Sequence, residues 1–180
     1  MTAVDDRKIP RGIATPAGGS VVVHFDGACQ PPRGGGLAGY GFTVDGGGFL
    51  HEDHGLATRP YSERATNNVA EYVGAIRALE WLAEQGYRGE VELRGDSQLV
   101  IRQSRGEYAV RAEHLRAYAE RLRQLAAGFA RVTYVWVPRE QNVRADALSK
   151  LALEEAGPSA RPYRRRGAGP VETEDPTSGA

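Results

Sequence analysis

The chain has 180 residues, enough for one domain with a substantial core and few for two. Hydrophobic residues make up 41% and charged residues 26%, which fits a soluble globular protein and excludes wholesale disorder, and no apolar run nears the roughly 20 residues that span a bilayer. Lys plus Arg and Asp plus Glu both number 23, so net charge gives no sign of a nucleic-acid partner, and any such partner has to be argued from local features.

Residues 1–20 mix Asp5, Asp6, Arg7 and Lys8 with Pro and Gly. They lack the apolar stretch of a signal peptide, so a cytoplasmic location is expected. Cys29 is the single cysteine, which rules out an intramolecular disulfide and a cysteine-based zinc site. Composition predicts a flexible tail over 1–19, a folded domain over 20–156 and a second flexible tail over 157–180. That second tail runs from the basic Arg164, Arg165 and Arg166 into Glu172, Glu174 and Asp175.

Within the domain, residues 21–25 form a short β-branched apolar run that predicts a buried strand ending at Asp26. Residues 27–39 read as a Gly/Pro loop. Residues 40–44 and 49–57, around a Gly-rich turn at 45–48, read as an antiparallel hairpin. Over 67–85 the apolar positions Tyr72, Ala75, Ile76, Leu79, Leu82 and Ala83 recur at helical spacing, with Gly86 as the stop. Residues 91–93 alternate as a strand, 97–104 and 112–127 read as helices, 132–137 as a last strand, and 142–156 as the last helix. The order β-β-β-α-β-α-α-β-α predicts an α/β fold with a five-stranded mixed sheet, an antiparallel meander followed by parallel crossovers, flanked by helices.

Four acidic residues fall where strand ends and helix starts would meet: Asp26, Glu71, Asp96 and Asp146. Structural explanations compete for three of them. Asp96 fits a helix N-cap, Asp146 a favourable first-turn anion, and Glu71, three residues after Asn68, a capping box. Asp26, at the end of an apolar strand, has no capping role. Parallel crossovers would bring the ends of the first and fourth strands together, where open α/β sheets place their sites. A clustered set of carboxylates repels itself unless cations occupy it, and oxygen ligands favour Mg²⁺ or Mn²⁺. Other titratable groups give less. His51 and His54 would face opposite sides of a strand, which argues against a shared metal. Trp81 and Trp136 lie in apolar patterns and read as core or core-edge residues.

The segments Phe25-Asp26-Gly27-Ala28-Cys29, Thr66-Asn67-Asn68-Val69-Ala70-Glu71, Gly95-Asp96-Ser97-Gln98 and Asn142-Val143-Arg144-Ala145-Asp146 resemble, in order and separation, the four signature segments of ribonuclease H type I. The resemblance implies a ribonuclease H-like fold and an endonuclease that cuts the RNA strand of an RNA–DNA hybrid. It implies two Mg²⁺ ions, with Mn²⁺ as the alternative, held by Asp26, Glu71, Asp96 and Asp146 with Asp26 bridging, and 5′-phosphate and 3′-hydroxyl products. No nucleophilic side chain is then needed. It further implies that Asn67, Asn68 and Gln98 contact the minor groove, where the 2′-hydroxyl distinguishes the strands. The backbone of Gly27, Ala28 and Cys29 would lie along the RNA, although capping by one of the two asparagines and burial of Cys29 are competing explanations.

The sequence departs from the best-known bacterial pattern twice. The loop histidine before the last helix is absent, and Pro138-Arg139-Glu140-Gln141 stands there; Arg139 is a candidate electrostatic aid that cannot shuttle a proton near neutral pH. The basic insertion after the short helix is also absent, as in the compact archaeal and plant-like branch, which leaves Arg102, Arg105, Arg111 and the Arg164–166 run as candidates for gripping the duplex. A monomer without membrane association is expected. A catalytically dead hybrid-binding module and a DNA-acting resolvase or transposase core are the competing functions. All four carboxylates argue against the first, and the Asn67-Asn68 and Ser97-Gln98 segments against the second.

Overall fold

The structure, a computed structural model, describes residues 19–32 and 34–157. The expected tails, and with them the Arg164–166 run, lie outside these residues except for Gly19 and Gly157. The elements are β1 (Val21–Gln30), β2 (Leu37–Gly46), β3 (Phe49–Leu56), α1 (Asn67–Glu84), β4 (Glu90–Gly95), α2 (Gln98–Ser104), α3 (Glu113–Ala126), β5 (Arg131–Trp136) and α4 (Val143–Ala156), with a 3₁₀ turn at Arg139–Gln141. The sheet order is β3-β2-β1-β4-β5. β1, β2 and β3 form the antiparallel meander, and β4 and β5 join parallel to β1. This is the mixed topology expected from the element order.

Alternation along the strands sorts residues to the two sheet faces. Val21, Val23 and Phe25 of β1, with Phe42 and Val44 of β2, are buried in one core together with Tyr72, Leu79 and Leu82 of α1. The opposite face meets α4, and two glycines of β2 allow it to come close. A Cβ on Gly41 would lie 2.5 Å from Leu148 Cβ, and one on Gly39 would lie 2.6 Å from the Ser149 carbonyl. α1 opens on Thr66, whose Oγ1 accepts from the Val69 amide at 3.3 Å, so neither Asn67 nor Asn68 is the cap. It closes at Gly86, whose φ of 78° carries the chain round while its amide bonds Ala83.

Two expectations need correction. β1 does not end at Asp26 with a loop over 27–39. It continues to Gln30, with Gly27, Ala28, Cys29 and Gln30 in register with Tyr40, Gly39, Ala38 and Leu37. Residues of poor strand propensity are held there by the ladder, and Gly27 lacks a Cβ because one would stand 2.3 Å from the Glu71 amide nitrogen. Trp136 is 43% exposed; it is the last residue of β5, an edge strand of the sheet, and its indole N–H is satisfied by the Asp96 carbonyl at 3.0 Å. Trp81 does lie at the core edge, stacked on His51 at 4.0 Å. His54 pairs with Glu155 of α4 instead, so the two histidines share no ligand site. Among the described residues no helix is long and apolar enough to cross a membrane.

Candidate active site

Asp26 lies in the middle of β1, and Asp96 directly follows β4. His24 pairs with Arg94 in the parallel ladder, so two residues further on both chains present a carboxylate. Glu71 enters from the first turns of α1, over the gap left by Gly27. One oxygen from each of Asp26, Glu71 and Asp96 lies within 4.8 Å of the others. Asp26 is 5% and Glu71 8% exposed, so the cluster sits largely out of water, where anions that close repel strongly.

The protonation of the cluster reflects this. Burial pushes the Asp26 carboxyl up to about 7; Asp96 and Asp146 add to the rise, and a hydrogen bond from Ser149 opposes it. Burial also lifts Glu71 well above the usual carboxylate range, with Asp26 and Asp96 reinforcing the shift and Arg139 opposing it. Glu71 Oε2 is buried without a hydrogen-bond partner. A buried carboxylate with one orphaned oxygen, grouped with two further carboxylates, is what a divalent cation would complete, so this donor set fits Mg²⁺ or Mn²⁺.

Asp146 stands in the first turn of α4, close enough to act on Asp26 but outside the three-carboxylate cluster. Its Oδ1 accepts from Arg139 Nη2 at 2.5 Å and its Oδ2 from Lys150 Nζ at 2.6 Å. Burial raises Asp146, but the Lys150 and Arg139 hydrogen bonds outweigh it and hold the carboxyl below its ordinary value. Asp96 is not the N-cap of α2; Ser97 is, accepting from the Val100 amide at 3.4 Å. Nor is Glu71 in a capping box, since its helix is capped by Thr66. Two of the structural alternatives are therefore removed.

Asn67 and Gln98 are exposed and Asn68 is half-buried, on the leading turns of α1 and α2 that also bring Glu71 and follow Asp96. Cys29 is buried, with its thiol donating to the Ala65 carbonyl at 3.1 Å in a small cluster with Ala38 and Ala70. Burial also raises the thiol pKa. Its side chain is a packing group. Three residues that shape the site drew no notice as such in the sequence. Ser149 Oγ donates to Asp26 Oδ2 at 2.5 Å, Asn142 Nδ2 donates to the Phe25 carbonyl at 2.9 Å, and Lys150 holds Asp146. Ser149 and Lys150 follow Asp146 by three and four positions, the helical spacing that could have flagged them.

Comparison with known proteins agrees with this geometry. Residues 25–152 match the family model described as reverse transcriptase-like. Ribonuclease HI of Halobacterium salinarum is 40% identical over 139 residues, covering 77% of this chain and 67% of that protein. Its crystal structure superposes with a TM-score of 0.67 over 76% of this chain and 98% of that one, at 37% identity. A bifunctional protein of Mycobacterium tuberculosis is 38% identical over 88% of this chain, which spans 42% of that protein's length. Its N-terminal RNase H domain superposes at a TM-score of 0.69 and 34% identity, covering 78% of this chain and 98% of that one. LC11-RNase H1, solved in complex with an RNA/DNA hybrid, superposes at 0.66 with 33% identity, covering 76% of this chain and 99% of that one.

The chain belongs to the ribonuclease H type I family, a family of metal-dependent endoribonucleases, and has its five-stranded fold and acidic cluster.

Proposed function

We propose that this protein hydrolyses the RNA strand of RNA–DNA hybrids, leaving 5′-phosphate and 3′-hydroxyl ends, with two divalent ions held by Asp26, Glu71, Asp96 and Asp146. The observation that carries the reading is the convergence of three buried or half-buried carboxylates, one with an orphaned oxygen, in a chain of this family. The hybrid bound by the LC11 relative supports the choice of substrate. Bound ions would supply Lewis-acid charge at a phosphodiester and a water activated near neutral pH.

The chain's own side chains prepare that site. Ser149 orients Asp26 from α4, and Asn142 ties the start of α4 to the β1 carbonyl one residue before Asp26. Asn67, Asn68 and Gln98 lie on the turns beside the cluster, available to the groove edge of a duplex, and the Gly27, Ala28 and Cys29 backbone runs next to Asp26. Arg139 brings a fixed positive charge to within 2.5 Å of Asp146, an electrostatic role that needs no proton transfer. A cytoplasmic, monomeric enzyme is part of the same proposal.

The test is cleavage of hybrid, double-stranded RNA and double-stranded DNA of one sequence, with Mg²⁺, with Mn²⁺ and with chelator. Metal-dependent cutting of the RNA strand in the hybrid alone is expected. Cutting of the DNA duplex in its place, or cutting in chelator, would reject the reading.

A further inference from the structure

The four acids are not equivalent, and the difference lies in their cationic partners. Among the described residues Asp26, Glu71 and Asp96 have no lysine or arginine within ion-pair distance, whereas both oxygens of Asp146 are taken, one by Arg139 and the other by Lys150. The backbone under Asp146 is anchored. Ser149 Oγ gives its one hydroxyl proton to Asp26 Oδ2 and lies 2.9 Å from the Asp146 carbonyl of its own helix, which ties this turn of α4 to β1. What can move is the lysine. Lys150 is half exposed, sits one helical turn beyond Asp146 and reaches back on a four-carbon stem that can swing into solvent.

We propose that Lys150 is a positioning residue that competes with a divalent ion for Asp146, so that the two ions bind in order. The first meets three carboxylates without a cationic competitor; the second requires Lys150 to leave Oδ2. This rests on the reading of Asp146 as an ion ligand given above. Lys150 holds Asp146 Oδ2 at 2.6 Å until an ion of higher charge density takes its place. An exposed ion pair of this kind is weak, so the competition should weaken the second ion about fivefold and leave the first unaffected. A lysine that only staples its own helix would change neither.

The experiment titrates the full chain with Mn²⁺ in the absence of nucleic acid, following free aqueous Mn²⁺ by electron paramagnetic resonance, for wild type, Lys150→Met, Lys150→Arg and Asp146→Asn. Two classes of binding are expected in wild type. Asp146→Asn should lose the weaker one. Lys150→Met should tighten it about fivefold with the tighter class unchanged, and Lys150→Arg should restore the wild-type curve. An unchanged or weakened second class in Lys150→Met overturns the role of Lys150. Hybrid cleavage by the same preparations keeps the two readings apart. Intact cleavage with unaltered Mn²⁺ binding in Lys150→Met removes this inference alone. The expected shift without any hybrid cleavage removes the substrate assignment alone, and no Mn²⁺ binding by wild type removes both.

Discussion

As anions, Asp26 and Glu71 destabilise the fold in which they sit, and this makes a functional group visible in a stability measurement. With its pKa raised from 3.8 to about 7, folded Asp26 keeps its proton while the unfolded chain has released it. Without divalent ions, stability is therefore lost as pH rises from about 4 to about 7, by at most about 4 kcal/mol from this residue. Glu71 acts in the same direction, and the depressed Asp146 in the opposite one, so the informative quantity is a difference between two proteins. Asp26→Asn should abolish turnover, by at least a hundredfold, while melting in chelator at pH 7 no lower than wild type. Its advantage over wild type should grow between pH 4 and pH 7 and shrink when Mg²⁺ is added. Urea melts across that range with and without Mg²⁺ measure this, and parallel profiles for the two proteins would show that Asp26 is not the strained anion described.

At the scale of elements, the site depends on how closely α4 approaches β2. A Cβ at Gly41 would meet Leu148 Cβ, the Ser149 amide at 2.6 Å and the Ala145 carbonyl at 2.8 Å, mostly backbone that cannot give way. Gly41→Ala should cost about 3 kcal/mol, the upper part of the usual overpacking range. Because α4 carries Asp146 and Ser149, activity per folded molecule should also fall at least tenfold. Gly86→Ala is the control: its φ is positive, but nothing lies within 4 Å. It should lose about 1 kcal/mol with turnover intact. If Gly41→Ala is as active per folded molecule as Gly86→Ala, the α4 contact does not set the site. The same contact explains what could be foreseen. Helical periodicity made α1 legible, the order of the elements made the mixed sheet legible, and four acidic segments in register pointed to the cluster. The second half of β1 was hidden because Gly27 and Ala28 are poor strand formers, kept extended by pairing with β2 and by the need for α1 to pass close by. Ser149 and Lys150 were hidden because their roles depend on which way α4 faces, which sequence spacing alone does not specify.

For the whole molecule, balanced charge conceals an uneven distribution. Arg94, Arg121, Arg123, Arg131 and Arg144 each pair with a glutamate, so their charge is locally cancelled. Arg102, Arg111 and Arg116 have no carboxylate partner among the described residues and lie along one flank, where Gln103 bonds Ala109 and Arg116 bonds Val110. Arg102 falls one helical turn after Gln98, its guanidinium 5.1 Å from the centre of the 45%-exposed Tyr108 ring and bonded to that hydroxyl at 2.9 Å. Arg105, by contrast, is committed to the Tyr134 carbonyl through two hydrogen bonds, so it steadies the turn and is not free for a phosphate. Each phosphate neutralised by an arginine releases counterions and steepens the dependence of binding on salt by roughly 0.9 in the log–log slope. Arg102→Gln should therefore weaken hybrid binding and flatten that slope by about one phosphate equivalent. Arg123→Gln, which removes a charge already paired with Glu120, should leave the slope where it was. Binding isotherms between 50 and 200 mM salt, on the order of the range over which such slopes are read, test the assignment. Equal slopes for wild type and Arg102→Gln would place the duplex away from this flank.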